Sequence, residues 1–246
     1  MGKRARRRAV LAAAAAVALL AGACGPTPPT PDADFQMHAR DTVFGYVLSC
    51  SATPGSFLYP TTGVGTSVGF TSESVDGVTE AVATFSQGAG FDISGVIGDV
   101  EADTYSIVLL VRMSQLGGFD RLLDFKNRAA DSGLYLYNGS LRFYPSSATG
   151  SKVIANGEWA QVVVTRAADG TMRGFVDGVQ QWQFADSGGL GVISSNRLVF
   201  FADNVSGGGT GEQSAGAVAR IRLFKRALSS TEVSQLGQTP STPCAV

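Results

Sequence analysis

Three turn signals between residues 133 and 185 constrain this chain more than any other feature. Asn138-Gly139, Asp169-Gly170 and Asp177-Gly178 each lie between short apolar-rich runs. An Asn-Gly or Asp-Gly pair tolerates positive φ at the centre of a tight turn, and such a turn matches the twist of two antiparallel strands. Asn138-Gly139 would join Leu134-Tyr135-Leu136 to Leu141-Arg142-Phe143-Tyr144, and Asp177-Gly178 would join Met172-Arg173-Gly174-Phe175 to Gln180-Gln181-Trp182. Asp169-Gly170 would turn the run from Trp159 to Arg166 back into Thr171. Three consecutive hairpins predict a meander with one wet face.

The same texture runs through most of the chain, where 31 glycines punctuate short apolar segments. Strands are predicted near 43–49, 81–86, 90–93, 104–113, 120–126, 133–137, 141–144, 159–166, 171–177, 180–185, 196–201 and 217–224. Many short strands at this spacing predict a sandwich or barrel with one core. One short helix is expected near the end. Ser229-Ser230-Thr231-Glu232 is a capping box, Val233 and Leu236 share a face behind it, and Gly237 and Pro240 stop it.

The first residues carry different information. Lys3, Arg4, Arg6, Arg7 and Arg8 precede an apolar run of 13 residues, Ala9 to Ala21. A comfortable membrane span needs about 20, so the segment reads as a cleaved signal peptide, with a retained signal anchor as the alternative. Leu20-Ala21-Gly22-Ala23-Cys24 resembles the lipobox of bacterial lipoproteins, with Ala21 where that pattern has Leu, Val or Ile. Ala21-Gly22-Ala23 also suits ordinary signal peptidase, which would release a soluble protein. A cysteine beside the cut and the stretch Gly25-Pro26-Thr27-Pro28-Pro29-Thr30-Pro31, a semi-rigid spacer, favour lipid on Cys24. Arg7-Arg8-Ala9-Val10-Leu11 resembles a twin-arginine export motif, the general route being the alternative.

The expected organisation is a signal peptide over 1–23, a lipidated Pro-rich tether over 24–41 and a domain over 42–246. Such a protein would sit on the extracellular face of the bacterial membrane or in the periplasm, or be secreted where Cys24 carries no lipid. Three cysteines are an odd count, and lipid on Cys24 leaves Cys50 and Cys244 near the two ends of the domain. A disulfide between them would close a long loop in an oxidising compartment, worth roughly 5 kcal/mol on chain entropy. Two free thiols are the alternative. No CxxC pattern offers a thiolate metal site. Without the five basic residues of the signal, 14 Lys and Arg stand against 20 Asp and Glu, a net charge of −6, which excludes nucleic acid as a natural partner.

Three segments in order carry a family resemblance. Glu158-Trp159-Ala160-Gln161-Val162-Val163-Val164-Thr165-Arg166, then Gly174-Phe175-Val176-Asp177-Gly178, then Ala219 through Val233 with Arg220-Ile221-Arg222-Leu223-Phe224 and Ala227-Leu228-Ser229, resemble the laminin-G-like, concanavalin-A-like domains of bacterial surface proteins. The resemblance covers roughly residues 80 to 237. It implies an all-β fold, an antiparallel jelly-roll sandwich of two sheets with one short C-terminal helix. It implies a binding module but no particular ligand, since one fold serves many functions. Retaining glycosidases of this fold carry a strand with E-x-D-x-E, which sets two carboxylates about 5 Å apart. Glu101-Ala102-Asp103 is the nearest run here and lacks the third carboxylate. The only histidine, His38, lies in the tether, so a Ser-His-Asp arrangement inside the domain is excluded. The chain is expected not to be an enzyme.

The resemblance further implies a calcium ion held at the sandwich rim by hard oxygens. Asp203, Asn204 and Glu212 flank the Gly-rich loop Ser206 to Gly211 and are the candidate ligands, a solvated polar loop being the plain alternative. Asp99, Glu101 and Asp103 form a second acidic group. For a ligand face, Tyr135, Tyr137 and Tyr144 combine a stackable ring with a hydrogen-bonding end, and Arg142 lies between Leu141 and Phe143 on the same hairpin. Trp159 is expected in the core, and Trp182 and Phe184, alternating along one strand, are expected to point inward. The partner is then a polysaccharide, which makes the chain a glycan-binding surface module, or an envelope protein, which makes it a non-catalytic interaction or structural domain.

Overall fold

The turn chemistry does locally what the sequence requires. In the computed structural model Asn138 and Gly139 have φ of 49° and 83°, and Asp177 and Gly178 have 47° and 76°. Both pairs close two-residue hairpins. The structure describes residues 28–37, 48–49, 58–61, 68–94, 100–205 and 211–237. The signal peptide, Cys24, His38, Cys50, Asp99 and Cys244 lie outside the described residues, and with them the predicted lipidation and disulfide.

In chain order the strands are β1 (Ala33–Gln36), β2 (Leu48–Ser49), β3 (Leu58–Thr61), β4 (Val68–Val75), β5 (Val78–Phe85), β6 (Gly90–Ser94), β7 (Tyr105–Met113) and β8 (Phe119–Asp124). There follow β9 (Gly133–Tyr137), β10 (Ser140–Tyr144), β11 (Thr149–Val153), β12 (Trp159–Arg166), β13 (Thr171–Val176), β14 (Val179–Ala185), β15 (Arg197–Phe200), β16 (Gly216–Phe224) and the helix α1 (Ser230–Gln235). They form two antiparallel sheets. One runs β14-β13-β12-β7-β16-β1-β2, with the β4–β5 hairpin joined to it through β16. The other runs β11-β10-β9-β8-β15-β6-β3. This is the all-β sandwich with one C-terminal helix that the sequence predicts.

Two details of the expected organisation change. The Asn138-Gly139 hairpin does not continue into the β12-β13-β14 meander but belongs to the opposite sheet. Strand β11 and the turn after it carry the chain across, because Leu141 and Phe143 bury their side chains against Trp182 from the other side of the core. Strand β1 also lies inside the stretch read as tether. Ala33 to Gln36 pair with Leu223 to Arg220, so the sheet recruits residues well before Thr42.

The core lies between the sheets, where alternate residues of each strand meet. Phe85 and Phe201 stack with ring centroids 4.3 Å apart, and Phe91 meets both edge-on. Trp182 is buried there, with its indole N–H donating to the Leu141 carbonyl, and Phe184 packs on the same cluster. Trp159 is placed differently from the expectation. It is half-buried on the outer face of the nine-stranded sheet, beside Leu110 and Ala217, with the Arg112 guanidinium 5.7 Å above its ring. That face is not wholly wet either, since Val233 of α1 and Leu236 at its C-cap cover Val108, Val163 and Phe175.

Candidate functional site

The outer face of the seven-stranded sheet holds the candidate site, and strand alternation puts it there. In β9 and β10, Leu134, Leu136, Leu141 and Phe143 enter the core, which leaves Tyr135, Tyr137, Arg142 and Tyr144 on the other face. In β8 the register shifts between Arg121 and Leu123. Leu122 and Leu123 both turn into the core, while Arg121 and Asp124 stay outside and bond to each other.

Arg121 is completely buried and anchors a dense ionic network. Its Nε donates to Asp203 Oδ1 at 3.1 Å, its Nη1 to Asp124 Oδ2 at 2.9 Å and its Nη2 to Asp131 Oδ1 at 3.1 Å and to the Tyr135 hydroxyl. The Tyr135 hydroxyl in turn donates to Asp131 Oδ1 at 2.9 Å. Arg128 donates from Nε to the Asp203 carbonyl at 2.6 Å. Asp131, Asp203 and Glu212 each place a carboxylate oxygen within 4.8 Å of the other two. The group thus holds four carboxylates with Asp124, against the two guanidinium groups of Arg121 and Arg128, an excess of two negative charges.

The electrostatics follow from burial. Asp124 and Asp203 have their carboxyls raised above the ordinary range by desolvation, which backbone N–H donors and Arg121 relieve only in part. Burial also raises Glu212, and the charges of Asp131 and Asp203 raise it further. Among the described residues Asp203 Oδ2 is buried and accepts no hydrogen bond of good geometry, although the Glu212 backbone N–H eases the charge of the carboxylate. An orphan buried carboxylate oxygen costs about 1–3 kcal/mol unless something positive meets it. Three close carboxylates, one with an unmet oxygen, and a surplus of two negative charges fit a hard divalent cation.

Beside this network lies an aromatic group. Phe119 meets Tyr137 at 4.5 Å between ring centroids and Tyr144 at 5.7 Å, and the Arg142 guanidinium sits 5.2 Å from the rings of both Phe119 and Tyr137. All four side chains are half-buried, so rings and cation are fixed by mutual contact while their outer sides face solvent. Arg142 Nε is buried without a partner among the described residues.

Set against the sequence reading, Asp203 and Glu212 come together, and Asn204 joins through its backbone N–H, which donates to Asp203 Oδ1 at 2.8 Å. Asp131 completes the carboxylate group and was not anticipated. Tyr137, Tyr144 and Arg142 share one face as expected. Tyr135 does not serve as a platform: it is fully buried, and the Arg121 network takes its hydroxyl. Phe119 and Arg121 were missed, and period-2 alternation finds Arg121 only once the irregularity in β8 is known. Glu101 and Asp103 are exposed before β7 and stand outside the close carboxylate group.

A family model described as the concanavalin A-like lectin/glucanases superfamily matches residues 85–234. No curated protein matches the chain. Among solved structures it is similar to domain 4 of AbnA, a GH43 extracellular arabinanase from Geobacillus stearothermophilus, in complex with arabinotriose. Identity is 14%, with 85% of this chain and 98% of that one covered and a TM-score of 0.59. It is similar to a Trypanosoma rangeli sialidase at 18% identity, with 87% of this chain, 34% of that one and a TM-score of 0.62. It is also similar to a botulinum neurotoxin type C structure, described for cell entry through two ganglioside molecules. There identity is 12%, with 83% of this chain, 50% of that one and a TM-score of 0.56. The chain therefore spans nearly all of the first relative and a half or a third of the others. At these identities the likeness shows the fold.

Proposed function

The chain belongs to the concanavalin A-like lectin/glucanases superfamily, and from that premise we propose that it is a non-catalytic carbohydrate-binding module that presents the outer face of its seven-stranded sheet to a glycan. One observation carries this reading: Phe119, Tyr137 and Tyr144 form a half-buried aromatic group with Arg142 held over it, directly beside a carboxylate network. Aromatic faces stack on the apolar faces of sugar rings, and a fixed guanidinium donates to their hydroxyls. Two similar structures, an arabinanase domain in complex with arabinotriose and a neurotoxin whose cell entry depends on two ganglioside molecules, support a carbohydrate or glycoconjugate partner.

The cation belongs to the same reading. Asp131, Asp203 and Glu212 would hold calcium, whose preference for several hard oxygens suits this group, in which Asp131 and Asp203 are oriented by hydrogen bonds from Arg121. When bound it would neutralise the surplus charge and offer a Lewis-acidic contact to a sugar hydroxyl. Arg121 and Tyr135 hold the carboxylates in place and exclude water beneath them. We further infer export and lipid anchoring through Cys24, supported by the signal-like segment and the spacer after it.

The test is a glycan array with the purified protein, run with calcium and again with chelator, alongside Arg142→Ala and Glu212→Gln. Glycan binding that Arg142→Ala abolishes and chelator or Glu212→Gln weakens at least tenfold is the expected result. Absence of binding to any glycan in both conditions would overturn the proposal and favour a protein partner in the envelope.

A further inference from the structure

At the end of the sandwich where β7 passes into β8, a cleft of about 280 Å³ opens between the segments Ser114–Gly117 and Gly211–Ala215. Small-molecule sites occupy roughly 300–1,000 Å³, so this one suits a single ring. Its walls are held by backbone bonds. Ser114 N–H donates to the Ala215 carbonyl at 2.8 Å, Gln115 N–H to Ser214 Oγ at 3.2 Å and Arg121 N–H to the Glu212 carbonyl at 3.0 Å.

Among the described residues the lining is polar and carries no basic side chain. Gln87 and Gln115 contribute exposed amides, Leu116 an apolar patch, and Asp120 a carboxylate that is 4% exposed, with Oδ2 accepting the Gly117 N–H at 3.0 Å. Amides that both donate and accept, next to a carboxylate that only accepts, match the vicinal hydroxyls of a sugar. A buried carboxylate without a cation among these lining residues disfavours an anionic one.

Two pairs of neighbouring residues connect the cleft with the outer-face site. Phe119 joins the aromatic group while Asp120 lines the cleft, and Glu212 joins the carboxylate group while Gln213 lines the cleft. Successive residues of a strand face opposite ways about 3.4 Å apart, so Phe119 and Asp120 set the two sites on either side of the same end of β8. At this corner a Cβ at Gly117 or Gly118 would meet none of the described residues within 4 Å, which leaves room for a chain to cross it.

We infer that the rim cleft is a second subsite for an uncharged sugar residue, so that the protein reads consecutive residues of a neutral glycan chain rather than one terminal unit. This inference rests on the carbohydrate reading of the outer face. Its test is calorimetric titration of the whole protein with arabinan, glucan and mannan oligosaccharides of one to six residues, for the natural sequence and for Gln87→Ala combined with Gln115→Ala. Both glutamines are exposed, so the fold should stand, which an unchanged Tm verifies. The expected result is an affinity that rises about tenfold from monosaccharide to trisaccharide, equivalent to about 1.4 kcal/mol. The double variant should lose that gain and keep monosaccharide affinity. Affinity independent of length, or a double variant that binds trisaccharide as tightly as the natural protein, overturns the cleft while leaving the outer-face site intact. Failure of every sugar to bind overturns the carbohydrate reading and the cleft together.

Discussion

Arg121 places a positive charge at a fully buried position, and the surrounding carboxylates overcompensate it. Asp124, Asp203 and Glu212 are each raised above the ordinary carboxylate range, chiefly by burial, so the folded protein binds their protons more tightly than the unfolded chain does. The stability they contribute is full below about pH 4 and is lost as pH rises through their raised values. Calcium should reverse that loss. At about a hundred times its Kd, a ligand of the folded state stabilises by about 2.7 kcal/mol, or roughly 5–10 °C in a domain of this size. Thermal unfolding in chelator and in calcium at pH 5 and pH 7.5 should show a calcium increment larger at the higher pH, and a Tm indifferent to calcium at pH 7.5 would sink the cation site. Asp203 and Glu212 were legible as candidates because they flank a glycine run. Asp131 was not, since only the folding of the loop between β8 and β9 brings it to them. Tyr135 looked like a ligand contact because ring type is visible in a sequence, whereas the guanidinium that claims its hydroxyl is not.

Among elements, α1 is the one whose boundaries follow from its own residues. Ser229 Oγ accepts the Glu232 N–H, Glu232 reaches back to the Ser229 N–H at 2.9 Å, and the helix stops after Gln235. Arg226 and the capping bond hold the Glu232 carboxyl down to about 2. Ser229→Ala removes one cap acceptor and should cost about 1 kcal/mol, read as a lower urea midpoint at unchanged slope. A loss much larger than that would mean the helix matters more to the sheet than its contacts with Val108, Val163 and Phe175 imply. Strands rich in buried residues, such as β7, β12 and β16, were readable from their apolar runs. Strand β4 was not, because its side chains are mostly wet and its strand partner is β5 at the edge, with Glu73 tied to Arg112 of β7, even though Asp76-Gly77 at the tip is the same turn signal read elsewhere. Strand β11 carries a similarly polar sequence at a sheet edge.

At the scale of the molecule, the way the chain enters the sandwich bears on how the proposed sites are displayed. Ala33 pairs with Leu223, which pairs with Ile107, whereas the rim cleft begins at Ser114 beyond the opposite end of β7. Ala33 lies nine positions after Cys24, about 28 Å if the spacer is fully extended as a proline-rich segment. A lipid on Cys24 would then hold the domain close to a membrane with its cleft turned away from it. Cys24→Ala should move the protein from the membrane fraction to the soluble one without changing its glycan binding. Retention in the membrane fraction would instead indicate an uncleaved anchor.

The sequence by itself determined what depends on near neighbours: the tight turns at Asn138-Gly139 and Asp177-Gly178, the alternation of buried and exposed residues along the strands, the capped helix, and through these the sandwich class. Only the tertiary structure decided which hairpin joined which sheet, that β1 would enter from the presumed tether, and that Asp131, Asp203 and Glu212 would meet around Arg121. The reason is physical. Turn and cap preferences act through the dihedrals and hydrogen bonds of a few adjacent residues, whereas pairings such as β16 with β1, β5 and β7 are chosen by how well distant faces bury together, and no local pattern encodes that sum.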